Sequence, residues 1–229
     1  MSDTSLSFFA TTDPPGVEIS DPIEGRRVCF HTPEQPALDP ASTDGFLFPV
    51  DVAREVRTTA LRMGRMDYVA VWAADGTENQ PVRATETRSF DAGQYQIEIS
   101  APVKLYLEVT GPFTVSAGLD HLDIAFEEQT RVSIAARSYH QRPAGTVTIG
   151  DDPADVMVAI STFASSLKTT TPDVSFPTLR GHPPLIETGD ELQVPNGLSS
   201  PDAGITIEVP ATRRMIYPTA PLAFYLGAS

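Results

Sequence analysis

Lysine is almost missing from this sequence. Lys104 and Lys168 are the only two, set against 14 arginines and 30 Asp and Glu, for a net charge of -14 and a pI near 4.5. An ordinary surface uses Lys freely, whereas a protein bathed in molar salt gains from hydrated carboxylates and from shedding the long apolar Lys stem. The composition therefore predicts a halophile's protein. In dilute buffer such a surface repels itself, because the Debye length grows from about 3 Å at 1 M salt to about 10 Å at 0.1 M. The same charge argues against nucleic acid or an anionic membrane as a partner.

Cysteine occurs once, as Cys29, which excludes an intrachain disulfide and a Cys-rich zinc site. Cys29 alternates with Val28 and Phe30 in a strand-like run and reads as a buried, inert thiol. No apolar run approaches the roughly 18 residues that span a bilayer, and Met1 to Ala10 has no basic region of the secretory kind. The expected location is the cytoplasm. Also absent are G-x-G-x-x-G, a Walker loop, H-E-x-x-H, G-x-S-x-G and any cysteine knuckle. The sequence thus leans away from an enzyme and calls for no cofactor and no metal. His31, His121, His140 and His182 lack helical or strand spacing from one another, so they read as single loop or surface histidines.

What is present is a folded β chain. A hydrophobic content of 41% with 20% charged residues is that of a globular protein, and 229 residues suit one large domain with an appendage. Residues 1–45, rich in Pro and Asp, read as loose chain with short edge strands at Val17 to Ile19 and Arg27 to Phe30. Residues 46–229 read as one β-sandwich domain, with β-rich pieces at Phe46 to Val50, Val52 to Thr58 and Tyr68 to Trp72.

From Gln94 to Ala136, five apolar alternations begin about every nine residues, the rhythm of an antiparallel β-sandwich or a jelly-roll-like meander. Tyr95, Ile97 and Ile99 face one way, then Val103 to Val109, Phe113 and Val115, Leu122 to Phe126, and Val132 and Ile134. Gln96, Glu98, Lys104, Glu108, Asp123, Arg131 and Ser133 fall on the opposite, solvent side. Near Gly150 the period changes to about 3.6. Asp152 as cap, Pro153 at the first position and the stripe Val156, Ile160, Phe163, Ala164, Leu167 predict one amphipathic helix over about 152–168. Residues 169–204 carry six prolines and read as a long wrapping loop. A last strand, Ile205 to Val209, precedes an apolar end in which Pro221 opens and Gly227 closes a short carboxyl-terminal helix.

Two groups of side chains are candidates for binding. Arg137, His140 and Arg142 end a predicted strand, and Arg180 and His182 sit in a proline-stiffened loop. Together they offer an anion pocket within an acidic protein, unless the arginines serve ion pairs among the 30 carboxylates. Arg213, Arg214, Tyr217, Phe224, Tyr225 and Leu226 offer a partner contact, because such an apolar end either docks on its own domain or forms an interaction patch.

Ala101-Pro-Val-Lys-Leu-Tyr-Leu-Glu-Val, Ala136-Arg-Ser-Tyr-His-Gln-Arg-Pro, Asp152-Pro-Ala-Asp-Val-Met with Ser161-Thr-Phe, and Pro177-Thr-Leu-Arg-Gly-His-Pro-Pro carry a resemblance to uncharacterised haloarchaeal proteins over about residues 45–229. In that family the region resembles the amino-terminal part of longer chains whose remainder looks like a caspase-type His and Cys domain. The chain stops at Ser229 without such a part, so the resemblance carries over no catalytic residue. The expectation is a non-catalytic protein-interaction or regulatory module acting with a larger effector or assembly. The alternative is a small anionic-ligand binding protein or enzyme using the Arg/His loops.

Overall fold

The computed structural model describes residues 5–198 and 200–229. They form two compact units, Ser5–Ser138 and Tyr139–Ser229. The first holds twelve strands: β1 Ser7–Thr12, β2 Pro15–Asp21, β3 Arg26–His31, β4 Asp39–Pro40, β5 Val52–Met63, β6 Tyr68–Ala73, β7 Asn79–Pro81, β8 Glu86–Phe90, β9 Gln94–Ser100, β10 Lys104–Thr110, β11 Phe113–Ala117 and β12 Leu122–Arg137. The second holds β13 Thr146–Ile149, β14 Leu185–Thr188 and the helices α1 Pro153–Ser161, α2 Arg213–Ile216 and α3 Ala220–Leu226, with short 3-10 turns.

The two long strands β5 and β12 organise the first unit. They pair antiparallel, but between Ala125 and Thr130 the register shifts, so that Phe126 to Gln129 lie opposite the single residue Thr59. Such a bulge bends both strands. Ahead of it on β12 the order is β8-β11-β12-β5-β3-β2-β1; beyond it, the order is β7-β6-β9-β10-β12-β5-β4. The result is a β-sandwich-like fold whose two sheets share their longest strands. Glu127-Glu128, which reads as a turn between two strands, is the bulge within one.

The period-2 alternation fills the space between the sheets. Val17, Ile19 and Phe30 from one sheet and Ile97, Leu105, Leu107 and Ile134 from the other belong to one buried cluster. Burying each such side chain contributes about 1.5–3 kcal/mol. Val17 to Ile19 and Val28 to Phe30 are therefore core strands, not the loose edge pieces their Pro-rich context suggests; Pro14 and Pro15 only punctuate the β1–β2 turn.

The outer face of the second sheet departs further from the simple alternation. Across β10, β12 and β5 run Tyr106, Ala135 and Ala53, side by side. The two alanines leave space beside the ring, and the segment from Ala41 to Val50 lies over them through Phe46 and Phe48. Phe46 to Val50 is thus a cover rather than a strand. Gln96 and Lys104, which the alternation alone assigns to solvent, are both buried, Gln96 by its bonds to this cover.

In the second unit, β13 and β14 run parallel, the arrangement that a crossover helix such as α1 permits. Asp152 caps α1 by accepting from the Ala154 amide, and Val156, Ala159 and Ile160 pack with Val147, Ile149, Ile216 and Ala223. Beyond Ser161 the helix tightens into a 3-10 turn, Thr162–Ser166, as Thr162 Oγ1 and Ser166 Oγ donate to carbonyls three residues back. Ile205 to Val209 forms no strand; it is extended chain held to the carboxyl end by bonds between Ser229 and both Ile205 and Ile207. α3 ends as predicted at Gly227, in the left-handed conformation, with Gly227 N donating to Phe224 O and Ala228 N to Ala223 O.

Candidate functional site

The densest group of charged and aromatic side chains in the first unit lies under the Ala41–Val50 cover. Lys104 Nζ donates to Glu98 Oε1 and to Ser100 Oγ, both at 2.6 Å, and the paired side chains are only 11% and 15% exposed. Glu98 Oε2 accepts from Trp72 Nε1 at 3.0 Å. Phe48 stacks on Tyr106 with centroids 5.4 Å apart and meets the edge of Trp72 at 5.5 Å. Gln96 clamps the cover, accepting from the Leu47 amide and donating to the Gly45 carbonyl, each at 2.7 Å. Lys104 and Arg137 lie 5.8 and 5.7 Å from the Tyr106 ring centroid, cation–π distances. Glu98 and Lys104 face each other as partners, so this constellation holds the cover and offers no free reacting group. Sequence pattern alone misses it, yet rarity marks it: Trp72 is the single tryptophan and Lys104 one of two lysines.

Arg137 belongs to this group rather than to an open loop. It is buried, and its guanidinium donates to the Pro49 carbonyl at 3.3 Å. The other four predicted loop residues lie in the second unit. There the His182 amide donates to the His140 carbonyl at 2.7 Å, and Ser166 Oγ donates to the Arg180 carbonyl, so the two loops adjoin through their backbones. The side chains diverge in setting: His140 is buried, His182 is exposed with Nδ1 donating to Pro183 O, Arg180 is half-buried and Arg142 exposed.

At the carboxyl end, the six predicted contact residues divide. Phe224 meets the edge of Phe163 at 6.1 Å and Leu226 packs on the second unit's own core. Arg213, Arg214, Tyr217 and Tyr225 are exposed, and Arg213 donates to the Asp151 carbonyl at 3.2 Å. Met215 and Leu222, from the same apolar end, join Tyr217 and Tyr225 as exposed large apolar side chains at 47%, 51%, 55% and 43%. Leu222 and Tyr225, three apart on α3, are neighbours on one face.

Elsewhere in the first unit, a 280 Å³ surface cavity is lined by Glu34, Asp39, Arg57, Thr59 and Gln129 beside the β5–β12 bulge. Cys29 is half-buried; burial first, and then the Glu18 carboxylate, push its thiol up from the ordinary value, against a lowering hydrogen bond with Thr11. A raised thiol is a poor nucleophile. Asp120 accepts from His121 Nδ1 at 2.7 Å, and that bond, with the imidazolium charge, holds its carboxyl below the ordinary range. Among the described residues no three His, Cys, Asp or Glu are gathered as a metal site, and no helix is long and apolar enough to cross a membrane. No protein-family model, curated protein or solved structure matches this chain.

Proposed function

We propose that this protein is a non-catalytic interaction module of a halophilic archaeon, acting with a larger effector or assembly. The observation that supports this most is the set of exposed side chains on the second unit's carboxyl-terminal helices, Met215, Tyr217, Leu222 and Tyr225, beside Arg213 and Arg214. Aromatic residues and arginine are the types that carry interface energy, and a strongly acidic chain that sets two arginines beside apolar side chains suits an acidic, apolar partner surface. The buried ion pair Lys104–Glu98 has a structural task, which removes the best-placed charges of the first unit from catalysis.

The test is affinity capture in about 2 M KCl from a haloarchaeal extract, where the Debye length falls to about 3 Å or below and non-specific charge attraction is suppressed. Wild type is compared with the variant Tyr217→Ala, Leu222→Asp, Tyr225→Ala. A partner held by wild type and lost by the folded variant supports the proposal; identical capture by both overturns it. A second reading, a small-anion site on the His140–Arg142 and Arg180–His182 loops, draws support from the 2.7 Å backbone bond between His182 and His140. Phosphate titration followed by NMR of the histidine rings tests it, with unmoved resonances rejecting it.

A further inference from the structure

A sheet edge is a row of unpaired amides and carbonyls, and soluble proteins guard such edges with charge, proline or shortness. Among the described residues, the twelve-stranded sheet has four strands that pair on one side only: β1, β4, β7 and β8. Three are guarded. β4 is the dipeptide Asp39-Pro40, β7 is three residues ending in Pro81, and β8 carries Glu86 and Arg88. β1 is not: it reads Ser7-Phe-Phe-Ala-Thr-Thr12, six residues without charge or proline, and it pairs only with β2. No charged residue stands between Asp3 and Asp13, in a chain of net charge -14. Phe9, in the middle of this edge, is 52% exposed, while Phe8 packs on the core from the other face.

We propose that β1 pairs antiparallel with β1 of a second copy, extending the sheet across a two-fold axis. Charge decides the occupant. Two molecules of -14 repel wherever their acidic surfaces meet, and an uncharged edge of this length lets identical chains approach without a complementary basic patch. Antiparallel pairing of a strand with itself is isologous: each residue meets its counterpart about the axis, and the exposed Phe9 rings gain cover from the opposing strand. Pairing about the axis uses up the β1 edge of both copies, and β4, β7 and β8 are guarded, so the assembly closes as a dimer rather than running on as a fibre. This surface is in the first unit and is independent of the carboxyl-terminal face proposed above.

One pair of six-residue strands buries less than the roughly 1,200 Å² typical of tight complexes, so the dimer is expected to dissociate in the micromolar range. Salt strengthens it, because salt weakens only the repulsion, whereas an interface built on ion pairs loosens. The experiment is analytical ultracentrifugation of the full chain from about 1 to about 200 µM, in about 1 M and about 3 M KCl, a range chosen to bracket that weak affinity. Hydrogen exchange of the 7–12 amides is followed on the same samples. The expected result is a monomer–dimer equilibrium that shifts toward dimer with salt, with amide protection in 7–12 rising with protein concentration.

Phe9→Lys and Ala10→Lys, both at exposed positions, place like charges across the axis on either face of the strand and are expected to give monomers with unchanged circular dichroism. A wild type that stays monomeric with concentration-independent exchange overturns the proposal. So does a dimer that persists in both folded variants. Should a variant fail to fold, the wild-type exchange profile decides. A monomeric wild type whose β1 amides gain protection only when a different protein is added also overturns it, in favour of an extended partner strand.

Discussion

Replacing Lys104 by alanine takes the cation from a pair whose side chains are 11% and 15% exposed, and leaves the Glu98 carboxylate with the Trp72 indole as its donor. Removing one member of a buried pair costs about 3–5 kcal/mol, because the charge left behind has lost both water and counter-ion. The cost to be expected of Lys104→Ala is near the lower end, about 3 kcal/mol, since some water reaches both groups. Lys104→Met combined with Glu98→Gln removes both charges while keeping the volume and an acceptor for Trp72, and is expected to lose less than about 1 kcal/mol. Trp72 is the single tryptophan and bonds to Glu98, so urea unfolding followed by its fluorescence in constant molar salt reads this site directly. A single substitution costing under about 1 kcal/mol refutes the claim that the pair is effectively buried. A double variant costing the sum of Lys104→Met and Glu98→Gln made singly refutes the claim that each charge is there to neutralise the other.

Stability should fall steeply as salt is removed: far-ultraviolet circular dichroism is expected to lose its β signal below a few tenths molar KCl, and an unchanged spectrum between about 2 M and about 0.1 M rejects the self-repulsion account. Gly16→Ala should destabilise the first unit by at least about 1–3 kcal/mol, because its Cβ would collide with the Phe30 carbonyl oxygen on the paired strand β3, a backbone atom that cannot swing aside; an unchanged urea midpoint would count against the register there. Asp120 has its carboxyl held below the ordinary range by His121, so what this pair contributes is present above the ordinary aspartate value and is lost as pH falls through the depressed one. Carbon-detected NMR titration should find Asp120 moving up to the ordinary range in His121→Ala, and no movement refutes the assignment.

Alternation made the sandwich legible because Ile97, Leu105, Leu107 and Ile134 obey a local rule: period two, one face in. Asp152, Pro153 and Gly227 likewise announce helix ends through chemistry contained within a few residues. What the pattern hides is set at a distance. Whether Gln96 meets water depends on a cover contributed about fifty residues earlier, and the mixed polarity of Ala41 to Val50 carries no periodic mark of that task. Glu127-Glu128 has the composition of a turn, and only pairing with Thr58 and Ala60 makes it a bulge. Arg137 shares one segment with His140 and Arg142, yet it is claimed by Tyr106 and Pro49, side chain and carbonyl from other strands and loops. The split of the carboxyl-terminal residues, Phe224 and Leu226 packed and Tyr217 and Tyr225 open, follows from which side of a short helix faces Phe163, a matter of rotation that composition does not encode.

The sharing of β5 and β12 between both sheets also sets when the first unit can fold during synthesis. β5 is complete at Met63, but its partner along nearly its whole length begins only at Leu122. At about 5–20 residues per second, the ribosome leaves β5 without that partner for about 3–12 s, while the β1–β2–β3 and β6–β9–β10 arrays wait as two separate patches. Closure then needs a contact spanning some sixty residues of chain, the slow kind of topology.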